Sequence, residues 1–106
     1  MKIWLDDVRV APQGYVWCHS VNECKQEILS AEQNGEEIEV VNCDHDLGDY
    51  FPDGGDGIAV VDWLVERDTV YPVELHTANP VGRANMQRAL EAYYRRKSAN
   101  ADEERK

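Results

Sequence analysis

Apolar positions along this chain fall into short runs of strand length and longer stripes with helical spacing. Lys2 to Leu5 predicts a first strand, and Tyr15 to His19, rich in aromatic and β-branched residues, predicts a second. Between them Val8 to Gly14 has no helical period and carries turn chemistry in Ala11-Pro12-Gln13-Gly14, so it predicts a loop. Val21, Cys24, Ile28 and Ala31 recur as one face of a helix, with Ser20 or Asn22 to cap it, Glu23 to complete a capping box and Asn34-Gly35 to end it. Ile38 to Cys43 predicts a third strand, apolar enough to be covered on both faces. From Asp44 to Gly57 the residues Gly48, Pro52, Gly54, Gly55 and Gly57 argue against regular structure and predict a long loop of the functional kind.

Ile58, Val61, Leu64 and Val65 predict a second helix over Gly57 to Arg67, and Tyr71 to His76 a fourth strand, with Pro72 at its tolerant first end. Thr77-Ala78-Asn79-Pro80 turns into a last helix over Val81 to Lys97, whose stripe is Met86, Leu90 and Tyr93 and whose basic end complements the helix dipole. Ser98 to Lys106 is polar throughout and predicts a disordered tail, leaving residues 1–97 as a single domain.

Strand, strand, helix, strand, helix, strand, helix is the order of an α/β domain: a small, doubly wound, mostly parallel sheet with helices on its faces. Right-handed crossovers make 2-1-3-4 the simplest strand order. The winding then reverses between strands one and three, and ligands of such sheets bind outside the carboxyl ends of the strands at that reversal. Asp6-Asp7 and Asp44-His45-Asp46 follow those two strands. Adjacent strands lie about 4.8 Å apart, so carboxylates at their ends can share one cation.

Composition narrows the function classes. The chain has 106 residues, 30% of them charged, and a formal net charge of −10, which opposes nonspecific binding to duplex DNA or to an anionic membrane. No apolar run approaches the length of a membrane span, and the N-terminus meets aspartates too early for a signal peptide, so a cytoplasmic location is expected. Cys18, Cys24 and Cys43 lack paired spacing and read as reduced thiols. Trp4, Trp17 and Trp63 read as core, and Asp49, Asp53 and Asp56 as a solvated loop face.

The chemistry-bearing residues suit phosphoryl transfer. Asp6, Asp7, Asp44 and Asp46 offer the oxygen ligands that Mg²⁺ or Mn²⁺ prefers. His45 and His76, as imidazoles, can serve with Asp44 as catalytic groups, taking up or giving a proton, or as ligands of a softer metal. Arg9 and Arg83 can clamp phosphate oxygens, and the N-terminus of the last helix, near Gly82, can offer backbone N–H groups to an anion.

An acidic pair after strand one, an aspartate after strand three and a threonine after strand four resemble the metal, phosphoacceptor and phosphate-contact positions of response-regulator receiver domains, here Asp6-Asp7, Asp44 and Thr77. The chain departs from that pattern by lacking a fifth strand with its lysine and by replacing the first helix with a loop. The chain more closely resembles the cyclic-phosphate-processing receiver-like family. That resemblance rests on Leu5-Asp6-Asp7-Val8-Arg9 with Pro12, Asp44-His45-Asp46-Leu47-Gly48, Gly57 with Trp63-Leu64, and His76 through Met86.

The resemblance implies a truncated receiver or flavodoxin-like fold and adds Thr77 and Asn79 to the substrate-contacting set. It also implies a metal-dependent phosphoesterase that processes a cyclic phosphate, with a nucleotide or RNA end as partner and an RNA-repair setting. The alternative is a receiver-like module that binds a metal, a phosphorylated ligand or a protein without turnover. A third reading is phosphorylation of Asp44.

Overall fold

The computed structural model describes residues 1–104, with side chains through Ala101. Four parallel strands, β1 (Lys2–Leu5), β2 (Tyr15–Cys18), β3 (Val40–Cys43) and β4 (Val73–Leu75), form one sheet in the order β2-β1-β3-β4. Three helices, α1 (Val21–Gln33), α2 (Ile58–Glu66) and α3 (Pro80–Glu104), complete the α/β fold. Strand order and helix count are as expected, and the sheet is parallel throughout.

The winding has a consequence for the layers. Leu5 pairs with both Cys18 and Cys43, and Cys43 pairs with Leu75, so this row and the alternating residues Ile3, Val16, Val41 and Val73 share one face. That face joins Val21, Cys24 and Ile28 of α1, Val60, Val61 and Leu64 of α2, and Met86 and Leu90 of α3 in one buried cluster. The other face carries Trp4, Trp17, Asn42 and Glu74 in one register row, and among the described residues no helix covers it. Right-handed crossovers explain this. The helical connections β2 to β3 and β3 to β4 run in one direction across the sheet and place their helices on one side. Only β1 to β2 runs the other way, and it is the loop of residues 6–14. Helices were expected on both faces and occupy one, with Trp4 and Trp17 on the other rather than in the helix-packed core.

Local chemistry sets the element ends. Ser20 caps α1 by accepting the Glu23 N–H at 3.1 Å, while the Glu23 carboxylate reaches back to the His19 N–H. Residues 48–50 form a single 3-10 turn where none was expected, with Gly48 at φ 52°. Asp68, at φ 56°, supplies the left-handed residue after α2, and the Thr69 N–H closes onto the Leu64 carbonyl. The last helix does not end at Lys97 but continues to Glu104. Residues 98–104 are rich in Ala and Glu with no Gly or Pro, so helix propensity carries the backbone on after the last buried position, Tyr93. The segment expected to be a disordered tail is therefore helical to Glu104, and residues 105–106 lie outside the described ones.

Candidate metal and phosphate site

Sheet hydrogen bonding continues one residue past the paired strand positions. The Asp6 N–H donates to the Cys18 carbonyl at 3.0 Å, Asp44 to Leu5 at 2.9 Å and His76 to Cys43 at 3.1 Å. Asp6, Asp44 and His76 thus form the next register row, on the same face as Trp4 and Asn42. Ligand atoms of these three residues all lie within 4.8 Å of one another.

Asp6 is the fixed point of this row, with 0% of its surface exposed. Its Oδ1 accepts the backbone N–H groups of Val8 at 2.9 Å and Arg9 at 2.8 Å, which pins the loop after β1, and its Oδ2 faces His76 Nε2 at 2.9 Å. Burial opposes ionisation of this carboxyl, but the Arg9 and Val8 N–H groups and the His76 ring together outweigh it and hold the group below its usual range. Asp7 goes the other way. Burial and the neighbouring Asp6 and Asp44 charges push its carboxyl up, against the pull of its own backbone N–H.

His76 is held from every side. Its ring stacks on Trp4 with centroids 3.8 Å apart, its Nδ1 meets Asn42 Oδ1 at 2.5 Å, and its carbonyl accepts Arg9 Nη1 at 3.0 Å. Asn42 donates its amide nitrogen to Glu74 at 3.2 Å, so its oxygen is the atom presented to the ring. An amide oxygen only accepts, and Nδ1 therefore carries a proton. Nε2 is then the nitrogen that faces Asp6 Oδ2, to which it donates when the ring carries both protons.

Asp44 joins this row to a cleft of ≈ 350 Å³ lined by Asp7, Val8, Arg9, Asp44, Asp46, Thr77, Ala78 and Asn79. Arg9 is the one cation among those lining residues. Asn79 ties the far wall together, donating to both oxygens of Asp46 at 3.1 and 3.2 Å and accepting the Gly82 N–H at 3.0 Å. Thr77 Oγ1 accepts the Asn79 N–H at 3.1 Å. His45 Nδ1 and Asn79 hold the Asp46 carboxyl below its usual range.

The expected four-aspartate site therefore divides. Asp6 and Asp44 converge with His76 and Asp7 lines the cleft beside Asp44, whereas Asp46 belongs with His45 and Asp56 in a second group whose ligand atoms also lie within 4.8 Å of one another. His45 is not among the residues lining the cleft, because its ring packs on α3, where a Cβ on Gly82 would meet its Cγ at 2.4 Å. Gly82 does not present its N–H to an anion, because that N–H caps onto Asn79. Arg83 faces the β4 and α3 side and donates to the Thr77 carbonyl at 3.2 Å, supporting the cleft loop from behind instead of lining it.

Two loop aspartates are also structural. Asp53 accepts Ser20 Oγ at 2.6 Å and Asn22 Nδ2 at 3.0 Å, and Asp56 accepts the Leu47 N–H at 3.2 Å, so of the expected solvated trio only Asp49 stays free of such a bond among the described residues. Asn42 escaped the sequence reading. The signal for it was a polar side chain inside the otherwise apolar run Val40 to Cys43, since a buried amide requires partners.

Against known proteins, the family described as the cyclic-phosphate processing receiver domain matches residues 1–92. No curated protein and no solved structure matches the chain.

Proposed function

The chain belongs to the cyclic-phosphate processing receiver domain family, and from that premise we propose that it is a metal-dependent phosphoesterase that opens a cyclic phosphate on a nucleotide or RNA end. One observation carries the reading: Asp6, Asp44 and His76 bring two carboxylates and an imidazole within 4.8 Å of one another, and Asp44 opens this group onto a cleft with an arginine on its wall.

The donor set fits a divalent cation. Asn42 holds Nδ1, so Nε2, which faces Asp6 at 2.9 Å, is the nitrogen that a cation entering between them would take, the arrangement by which outer groups orient a histidine ligand. Two carboxylates with one imidazole suit Mn²⁺, and suit it better than Mg²⁺, which favours oxygen donors. Bound there, the ion would neutralise phosphoryl oxygens and acidify water.

The protein's own groups supply the rest. Arg9 has guanidinium N–H groups beyond the one given to His76 and can place the phosphate over the acidic floor. Asp7, its carboxyl raised and lining the cleft, is the group placed to accept a proton as the water oxygen bonds phosphorus and to return it to the ribose oxygen released when the ring P–O bond breaks. His45 is turned toward α3, and His76 is committed to Asp6 and Asn42, so the proton traffic first assigned to the two histidines moves to Asp7. With Arg9 as the cation and no lysine among the residues lining the cleft, the phosphorylated-Asp44 reading has little to recommend it.

The test follows ring opening of adenosine 2',3'-cyclic phosphate and of cyclic-ended RNA oligomers with Mg²⁺, Mn²⁺ or Zn²⁺, comparing wild type with Asp44→Asn and His76→Ala. Turnover highest with Mn²⁺ and reduced at least ~100-fold in both variants is expected, each having lost a direct ligand. One observation favours the rival reading, a binding module without turnover: His76 Nε2 and Asp6 touch directly at 2.9 Å, as an ion pair would. Wild-type turnover no greater than that of the variants across a broad phosphoester panel would select that module.

A further inference from the structure

The register row of Asp6, Asp44 and His76 has a fourth member. His19 follows Cys18, the partner of Leu5, and so stands beside Asp6 on the side away from Asp44. Its ring stacks on Trp17, centroids 4.4 Å apart and planes 27° from parallel, and Tyr50 lies against it at 5.4 Å and 32°. Trp17 Nε1 donates to the Asp6 carbonyl at 2.7 Å, so the column of rings is rooted on the residue that anchors the acidic floor.

The outer end of the column is held in place and open. Tyr50 and Phe51 are 40% and 56% exposed. Tyr50 ends the 3-10 turn and Phe51 caps it; the turn begins at Gly48, packed so close to Asp7 that a Cβ would meet its Oδ2 at 2.5 Å. Asp53, two residues beyond Phe51, latches the same loop to Ser20 and Asn22. Exposed rings on a latched loop, beside a phosphate cleft, have the form of a platform on which a flat heteroaromatic ring stacks.

We propose that Trp17, His19 and Tyr50, rimmed by Phe51, form a nucleobase subsite, and that the substrate is a small nucleotide carrying one cyclic phosphate, not a long RNA. The proposal rests on the reading of the acidic row as a phosphate site. Charge selects the size of the occupant. Every charged residue from Glu36 to Asp56 is acidic apart from His45, the chain carries a formal −10, and the cleft offers one lining cation, Arg9. One phosphate on a bound ion is accommodated, while further backbone phosphates meet negative potential.

The experiment titrates the full chain, with Mn²⁺, against adenosine 2',3'-cyclic phosphate and against glycerol 1,2-cyclic phosphate, which has the ring phosphate and no base. Binding is read by tryptophan fluorescence and calorimetry, and turnover is followed separately. The nucleotide is expected to bind about tenfold more tightly, the worth of one stacked base. Tyr50→Ala combined with Phe51→Ala, both at exposed positions, removes most of that preference, whereas Arg9→Ala weakens both ligands alike.

Equal affinity for the two compounds, or a preference unchanged in the Tyr50 and Phe51 variant, overturns the subsite. Affinity that rises with the length of cyclic-ended RNA overturns the size selection. Base preference without turnover leaves the subsite standing and removes the phosphoesterase reading. Turnover without base preference does the reverse, and binding of neither compound removes both.

Discussion

His76 meets Asn42 at one ring nitrogen, Asp6 at the other, Trp4 across its face and Arg9 at its carbonyl, and these contacts set what single substitutions do. Asn42→Ala frees the imidazole to turn and to change tautomer. Mn²⁺ affinity measured by calorimetry should fall roughly 10- to 100-fold, as for other losses of a ligand's supporting partner. Unchanged affinity would remove Asn42 from the site.

Gly57 is constrained by space alone. Its backbone is ordinary right-handed helix (φ −55°, ψ −29°), yet a Cβ would lie 1.8 Å from the Asp44 carbonyl oxygen. Gly57→Ala must displace the loop that holds Asp44, and urea unfolding should show a loss of about 1–3 kcal/mol. Asp7 carries strain of another kind, being half-buried beside the Asp6 and Asp44 charges. A carboxyl raised in the folded state binds its proton more tightly there, so its contribution to stability grows as pH falls through that raised value. At neutral pH Asp7→Asn removes the repelled charge and should therefore stabilise the chelator-treated protein. A thermal midpoint at or below wild type would contradict this.

Between elements, the clearest electrostatic contact joins α1 to the end of α2 and the approach to β4. Glu32 accepts from Arg67 at 2.6 Å and from the Tyr71 hydroxyl, and these two partners, Arg67 foremost, hold its carboxyl below 4.5. A depressed folded-state value means that the stabilisation is fully present above 4.5 and is lost as pH falls through the lower, folded value. Glu32→Gln should thus cost about 1–2 kcal/mol at pH 7, and the gap from wild type should close on acidification below 4.5. A gap that persists unchanged into strong acid would show that packing, not charge, is what the variant loses.

The far end of α3 shows what pattern reading can and cannot see. Its stripe stops at Tyr93, and its last described tertiary ties reach Asp68, from the Tyr93 hydroxyl at 2.9 Å and Lys97 Nζ at 3.1 Å. Periodicity tracks packing and so placed the end at Lys97, while the helix itself runs on to Glu104. Deleting residues 98–106 should lower the helical circular dichroism and leave urea stability within about 0.5 kcal/mol of the full chain.

For the molecule as a whole, a formal charge of −10 on a chain of this size makes self-repulsion a global term. With chelator present to keep the cleft free of divalent ions, raising KCl from about 0.02 M to about 0.5 M shortens the Debye length severalfold. The thermal midpoint should rise accordingly, and a fall would place local ion pairs above global repulsion. The same asymmetry extends to shape. With every helix on one face, the other presents the ring and amide row Trp17, Trp4, Asn42 and Glu74, and the functional row of His19, Asp6, Asp44 and His76 continues that face beyond the strand ends.

Strand order, helix count and the placing of Asp6 and Asp44 at adjacent strand ends were legible in the sequence, because period and apolar run length record local burial and a parallel sheet has few windings. The family resemblance was legible too, in motifs such as Asp44-His45-Asp46 and Asn79-Pro80. What the sequence could not resolve was direction. Whether His45 points with Asp44 or against α3, whether Gly82 keeps its N–H or gives it to Asn79, and which face Trp17 occupies depend on contacts between residues far apart in the chain. A side chain's identity is local, but the partner that satisfies it is chosen only when the sheet closes, and that choice separated His76, held at the acidic floor, from His45, packed outside it.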